Sequence, residues 1–370
     1  MSRTPQKSMR RAALSLAGLS ALVLSSCASK PPLDSLAPAS RRAREIRTLN
    51  RIVFPIAGIV MVLVGAAVLF CVFKFRAKPG DDEMPKQIHG NFKLEIGWTI
   101  LPAVILAAIA VPTVTTIWKL AKVPAKGTAL EVNVIGQQWW WSYEYPGTGI
   151  ITANEMVIPA GKDIQLHIQS RDVIHSFWVP QLSGKKDAVP GRSHDLTISA
   201  DNPGYYYGQC TEFCGLSHSY MRASVRVLSP ADFDAWVAAQ KKDAVTTFAP
   251  DSSEARGLVA FGKCTGCHQI NGFNLVPVAD QVSGAAPNLT HLMSRALFAG
   301  GNFKLYNDDG SFNETLVKKW LRNPDSLMPM VANNLKALAG PNGSNKRGMP
   351  NLNLTEAEIN DIVAFLKTLK

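Results

Sequence analysis

Two uncharged stretches, Ile52 to Phe73 and Ile96 to Trp118, of 22 and 23 residues, constrain the fold of this chain more than any other feature. A helix needs about 20 residues to cross the hydrocarbon core of a bilayer, and two such lengths without a charge are rare inside soluble proteins. Pro55, Pro102 and Pro112 fall within them. Membrane helices tolerate such prolines because neighbouring groups re-satisfy the freed backbone. The expectation is a transmembrane helical hairpin, residues 46–126, with spans at about 52–73 and 96–118 and both ends on one side.

Counting Lys and Arg does not orient the hairpin. Six (Lys30, Arg41, Arg42, Arg44, Arg47, Arg51) precede the first span and five (Lys74, Arg76, Lys78, Lys86, Lys93) lie between the two, so the positive-inside rule is balanced. The N-terminus decides instead. Arg3, Lys7, Arg10 and Arg11 precede an uncharged stretch, Ala12 to Ser26, too short to span, and this reads as an export signal over residues 1–26. Its end, Leu24-Ser25-Ser26-Cys27, resembles a bacterial lipoprotein cleavage site, which would leave Cys27 lipidated. The chain is then expected in the inner membrane as a multi-pass protein, with everything after Trp118 on the periplasmic side.

The net charge of +11 belongs to the membrane end. Residues 1–126 hold 18 Lys and Arg against 6 Asp and Glu, whereas 127–228 hold 7 against 9 and 245–370 hold 12 against 10. Basic residues collect beside membrane spans, and no basic stripe interleaved with aromatics occurs in the soluble part, which excludes nucleic-acid binding.

A Pro/Ser/Ala-rich tether, within residues 27–45, links the lipid site to the hairpin and has no need to fold. From Leu130 the apolar period becomes two: Val132, Val134 and Gly136; Ile164, Leu166 and Ile168; Leu196 and Ile198; Ala223, Val225 and Val227. Short strands between Pro/Gly turns predict an antiparallel sandwich or barrel over 127–228. Ser229-Pro230 opens a short helix holding Trp236, followed by a polar linker, so that 229–253 connects to a last domain, 254–370. There Thr355 and Glu358 form a capping box, and Ile359, Ile362, Val363, Leu366 and Leu369 share one helix face.

Two motifs carry chemistry. Cys264-Thr265-Gly266-Cys267-His268 has the spacing in which two thiols add to haem vinyl groups and the adjacent His ligates iron. A redox CxxC or half of a zinc site are the alternatives, but no second ligand pair or thioredoxin-like patterning accompanies it. The sixth iron ligand is sought among His291, Met293, Met328, Met330 and Met349. Met349-Pro350 before the capped helix resembles the ligand loop of small class I cytochromes c, so Met349 is preferred and Met328, also followed by Pro, comes second. A Met ligand raises the haem potential relative to a second His.

The second motif is Cys210, Cys214, His218 and Met221, a CxxxCxxxHxxM pattern behind the aromatic strand Tyr205-Tyr206-Tyr207. Thiolates, imidazole and thioether select copper over magnesium or calcium. One thiolate more than a blue-copper site uses allows two metal ions to be bridged, with His175 in DVIHSFWVP as second imidazole. A disulfide, a tetrahedral zinc site and a merely hydrogen-bonded loop His175 remain open on spacing alone, although each leaves Met221 unexplained.

The segments GQQWWWSYEY (136–145), RDVIHSFWVP (171–180), KKDAVPGR (185–192) and GYYYGQCTEFCGLSHSYM (204–221), with LEIGWTILP (94–102), resemble subunit II of haem-copper cytochrome c oxidase. The match covers roughly residues 45–230, and the appended haem domain resembles the cytochrome-c-fused subtype. The resemblance implies a two-helix transmembrane hairpin, an all-β cupredoxin-like copper domain and an all-α class I cytochrome c domain. It implies that Cys210 and Cys214 bridge both coppers, that His175 and His218 bind one each, and that Met221 and the Glu212 carbonyl complete them. The Glu212 side chain, with Asp187, would reach a magnesium ion at the boundary with the catalytic subunit. Trp139 stands where electrons enter the family's copper site, with Trp140 replacing the usual Tyr.

Function follows as an expectation from that resemblance. A soluble or membrane donor, a cytochrome c or a quinol-cytochrome c reductase, supplies the haem; the dinuclear copper is next, and a partner subunit I, among further membrane subunits, reduces oxygen to water and moves protons. Asp172, beside His175, is the candidate for steering an external basic cytochrome, although a tethered haem domain replaces diffusive encounter by high effective concentration. Two other classes compete. A quinol oxidase subunit II would lose the copper ligands, and a copper carrier would need neither haem nor spans.

Overall fold

The computed structural model describes residues 31–76, 80, 84, 86–272, 286–330 and 348–370. Residues 1–26, read as an export signal, and Cys27 lie outside the described residues. Helix α1 (Arg41–Lys74) and helix α2 (Phe92–Ala121) contain the two apolar runs, with Pro55 inside the first and Pro102 and Pro112 inside the second. Each begins on a side-chain cap, Ser40 accepting from Ala43 N–H and Asn91 from Leu94 N–H, which satisfies helix-end donors that would otherwise be orphaned. Their large apolar side chains are exposed along the spans, as suits helices whose solvent is lipid.

The hairpin is closed at its soluble end by a buried cation. The Arg42 guanidinium donates to Leu120 O at 2.9 Å and Lys122 O at 3.0 Å. It thereby caps the C-terminal carbonyls of α2 from α1, where the helix dipole favours positive charge. The tether departs from expectation here. Ala39 N–H donates to Gln181 O, Asp201 N–H to Ala39 O, and the fully buried Ser40 to Leu182 O at 2.6 Å. The run before α1 is thus hydrogen-bonded into the sandwich at its last residues, a contact that composition does not disclose.

The sandwich consists of β1 (Leu130–Gln137), β2 (Trp140–Tyr145), β3 (Ile150–Ala153), β4 (Glu155–Pro159), β5 (Ile164–Ser170), β6 (His175–Trp178), β7 (Lys186–Ala188), β8 (His194–Ile198), β9 (Gly204–Cys210) and β10 (Arg222–Leu228). One sheet has the order β3-β2-β1-β5-β8 and the other β4-β10-β9-β6-β7. Of the alternating residues read from sequence, Val132, Val134, Ile164, Leu166, Ile168, Ile198, Ala223, Val225 and Val227 are buried between the sheets, and Leu196 is half-buried against them. The sandwich is mixed, however, since β1 pairs with β5 and β4 with β10 in parallel. Alternation reveals which side chains face the core and says nothing about the direction of the neighbouring strand. Strand β2 alternates as well, with Trp141, Tyr143 and Tyr145 in the core between Ser142 and Glu144, whereas β4 shows no period because every residue in it is buried.

Helix α3 (Pro230–Gln240) is capped by Ser229 and lays Trp236 against Tyr145. The last domain has α4 (Ser253–Phe261), α5 (Glu314–Arg322) and α6 (Glu356–Leu366), the last opened by the Thr355/Glu358 capping box. A two-strand hairpin, β11 (Leu297–Phe298) with β12 (Phe303–Lys304), is the one addition to the all-α expectation among the described residues. Helices α4 and α6 cross at Gly257, and Phe261, Ile359, Ile362 and Phe365 fill the core beside them.

Candidate copper and haem sites

Strands β6 and β9 are neighbours, with Phe177 opposite Cys210, and this register sets the fully buried His175 beside the loop that follows β9. The loop is pinned at its ends: Thr211 N–H donates to Ser176 O and Cys210 N–H to Met221 O. Five side-chain donors and one carbonyl converge within it. Cys210 Sγ lies 3.9 Å from Cys214 Sγ, 4.0 Å from His175 Nδ1 and 3.3 Å from Glu212 O. Cys214 Sγ lies 3.5 Å from His218 Nδ1 and 3.8 Å from Met221 Sδ. Both cysteines are free thiols, so the disulfide reading does not hold here. Six donors also exceed the four of a tetrahedral zinc site.

The electrostatics suit cation capture. The two thiols face each other at 3.9 Å and His175 faces Cys210 as well; the hydrogen bond the cysteines share is the largest influence on both, lowering Cys210 despite its burial and raising Cys214, which burial raises further. His175 gains basicity: burial works against its charged form, and hydrogen bonds to Asp172 and Cys210 outweigh that. Asp172 Oδ1 lies 2.8 Å from His175 Nε2 and its side chain is only 6% exposed. It thus orients the imidazole so that Nδ1 faces the sulfurs, as carboxylates behind metal-binding histidines do. A carboxylate so enclosed does not steer an external protein, in line with a copper region that is only two charges negative.

Sequence reading also missed Gln138. Its side-chain amide donates to Cys214 O at 2.7 Å, and the Trp139 indole N–H donates to the same carbonyl at 3.1 Å. A lone Gln in an aromatic run carries no signal for such a contact. Glu212 is an exposed acid, and the half-buried Asp187 accepts from Ser176 and Lys185. Among the described residues, the group of three or more His, Cys, Asp or Glu that could hold an ion is His175, Cys210 and Cys214. The pair proposed for magnesium is not part of it.

The second site is a cavity of about 230 Å³ walled by Cys264, Cys267, His268 and Met349, with Phe261, Leu292, Leu305 and Leu366. His268 donates from Nδ1 to Pro287 O at 2.8 Å, which fixes the ring and leaves Nε2 as the metal-binding nitrogen. Burial lowers its pKa and pushes the Cys264 thiol up to about 11. Of the five candidate sixth ligands, Met328, Met330 and Met349 reach this cavity. Met349 Sδ accepts the Trp320 indole N–H at 3.1 Å, whereas Met328 Sδ faces the Asn302 amide at 3.7 Å. His291 is withdrawn, because its Nδ1 and Nε2 face Lys370 O at 2.6 Å and Gln240 O at 3.1 Å. Trp139 and Trp140 also line the cavity, so the two sites share a wall.

A lipid-spanning hairpin, a sandwich bearing a thiolate metal loop and a helical domain with a haem-attachment motif together define a membrane-anchored electron-transfer protein. Residues 148–228 match the family described as cytochrome C oxidase subunit II, periplasmic domain, 35–116 its transmembrane domain, and 254–370 cytochrome c. Cytochrome c oxidase subunit 2 of Bacillus sp. (strain PS3) is 35% identical over 374 residues, covering 96% of each chain. That of Alkalihalophilus pseudofirmus is 31% identical over 353 residues, covering 94% of each. The solved periplasmic domain of subunit II of cytochrome oxidase of Bradyrhizobium japonicum is 34% identical and covers 32% of this chain and 97% of its own, with a TM-score of 0.31. The chain belongs to the cytochrome c oxidase subunit 2 family, with a C-terminal cytochrome c domain.

Proposed function

We propose that this protein is the electron-input subunit of a terminal oxidase, taking electrons at its own haem and passing them through a dinuclear copper centre to a catalytic subunit that reduces oxygen to water coupled to proton translocation. The observation that carries this reading is the shared wall: Trp139 is 5% exposed, lines the haem cavity and donates to the carbonyl of Cys214. The donor set fits the metal. Cys210 and Cys214 would bridge two copper ions, His175 and His218 would bind one each, and Met221 and Glu212 O would complete them. Cys264 and Cys267 would carry the haem, with His268 and Met349 as its axial ligands. Bound, each centre supplies reversible one-electron chemistry.

The chain's own residues prepare both sites. Asp172 aims His175, Gln138 and Trp139 hold the Cys214 carbonyl, and Pro287 O fixes His268. With Trp139 covered by the haem domain, the internal haem is the donor to copper. An external cytochrome c, or a quinol-cytochrome c reductase, then delivers to the haem. The soluble domains would lie in the periplasm, with Cys27 lipidated behind an export signal. Magnesium at Glu212 and Asp187 would take its remaining ligands from subunit I; the Glu212 side chain is exposed while its carbonyl lies 3.3 Å from Cys210 Sγ. Complete retention of the copper ligand set argues against a quinol oxidase subunit. The test is near-infrared absorption of the purified complex during stepwise reduction. A mixed-valence copper band that bleaches after the haem reduces supports the reading, and its absence from a copper-replete protein overturns it.

A further inference from the structure

The segment joining the two redox modules is a turn of the haem domain, and it serves both sites at once. Residues 295, 297, 298, 299 and 300 wall the haem cavity. On its other side the same turn is hydrogen-bonded to the residues flanking Met221 of the copper loop. Arg222 N–H donates to Gly300 O at 3.1 Å, and the Asn302 amide donates to Tyr220 O at 2.5 Å. Gly300 has φ +68, and a Cβ there would lie 3.1 Å from Tyr220 O and 3.3 Å from Trp139 O. Both the left-handed backbone and the close approach call for glycine.

A second anchor lies further along β10. Glu155, 3% exposed on β4, accepts from Ala296 N–H of the haem domain at 3.1 Å and from the Tyr205 hydroxyl at 2.6 Å. Arg226 donates to Ser294 O at 3.1 Å. A buried carboxylate costs free energy unless it is satisfied, and here part of its satisfaction comes from the other domain. The two domains are therefore fitted to each other by backbone groups and buried polar side chains, not by a rim of exposed charges.

We propose that the turn at residues 299–302 is a positioning clasp, with Gly300 as the residue that lets the haem-cavity wall close onto the copper loop. Transfer from haem to copper then occurs in one fixed docked arrangement instead of by repeated encounters across a flexible linker. The inference rests on the haem-to-copper reading above. One electron leaves the ferrous iron and reduces the oxidised copper pair, and no proton or bond changes place.

The experiment compares the full-length complex with Gly300→Val and Asn302→Ala. Amide hydrogen exchange at Arg222 and the rate of copper reduction after photoreduction of the haem are both read. A β-branched residue at this φ is strongly disfavoured. In Gly300→Val the docked arrangement is expected to fall to about a tenth of the molecules, so the rate falls about tenfold, while exchange at Arg222, which reads the undocked fraction, rises by more than about tenfold. The rate also becomes viscosity-dependent, while the haem and copper absorption bands are unchanged. Asn302→Ala, which adds no bulk, shifts both in the same direction by less and decides the matter if the valine variant does not assemble. Wild-type exchange and rate in the variants overturn the clasp, as does an unprotected Arg222 amide in the parent protein. A parent whose haem never reduces its copper refutes the electron route instead, and the exchange measurement still decides whether the clasp exists.

Discussion

Gly257 tests the packing of the haem domain most directly. It lies on α4 where that helix crosses α6, and a Cβ there would stand 1.9 Å from Asp361 O, 2.6 Å from Asp361 C and 2.9 Å from Phe365 Cβ. Alanine in a helix interior is intrinsically better than glycine by about 1 kcal/mol. Overpacking a tight contact costs about 1–3 kcal/mol, and because the obstacle is backbone that cannot rotate aside, the upper end applies. The net loss for Gly257→Ala is then about 2 kcal/mol, and at about 4 °C per kcal/mol for a domain of this size the melting temperature falls by about 8 °C. The assay is thermal unfolding of the full-length protein followed at the haem Soret band. Gly262→Ala is the control, since a Cβ at that position meets nothing within 4 Å. A Gly257→Ala protein that melts with the parent would falsify the helix crossing described here.

Three further outcomes follow from the geometry. Cys214→Ser leaves one bridging thiolate, so the near-infrared band of a copper pair should vanish while the haem spectrum stays; retention of that band would assign the bridge elsewhere. Arg42→Ala leaves the carbonyls of Leu120 and Lys122 without their cation, at a cost of about 1–3 kcal/mol; limited proteolysis between α2 and β1 should accelerate, and an unchanged cleavage rate would exclude the cap. Lys318 and Lys367 hold Glu314 down to about 2, below its ordinary 4.5. A depressed carboxylate stabilises the fold fully above its unfolded pKa and progressively loses that contribution as pH falls towards the folded value. Acid unfolding of the haem domain should therefore steepen between about pH 4.5 and 2, and Glu314→Gln should flatten that portion of the curve; identical acid titrations would remove Glu314 from the account.

Much of this protein was decided locally and was legible in the order of residues. Uncharged length fixed the spans, because a bilayer accepts little else, and alternation fixed the core residues of β1, β5, β8 and β10. The spacing of Cys264, Cys267 and His268 and of Cys210, Cys214, His218 and Met221 marked the two candidate sites, because each set falls within a single short segment. His175 could be paired with that loop by resemblance, but only the β6–β9 register brings it there. Strand β4, buried throughout, hid its period, and the parallel pairings left no local trace. That Asp172 is the carboxylate that aims an imidazole was not legible, because burial is a property of the whole fold. The shared wall at Trp139 and the approach of Gly300 to Tyr220 join residues far apart in sequence. The sequence by itself determined two redox modules on a membrane hairpin; that Gly300, Asn302, Glu155 and Arg226 carry the contacts between them was decided by the tertiary structure, because their partners are backbone and buried polar groups far away along the chain.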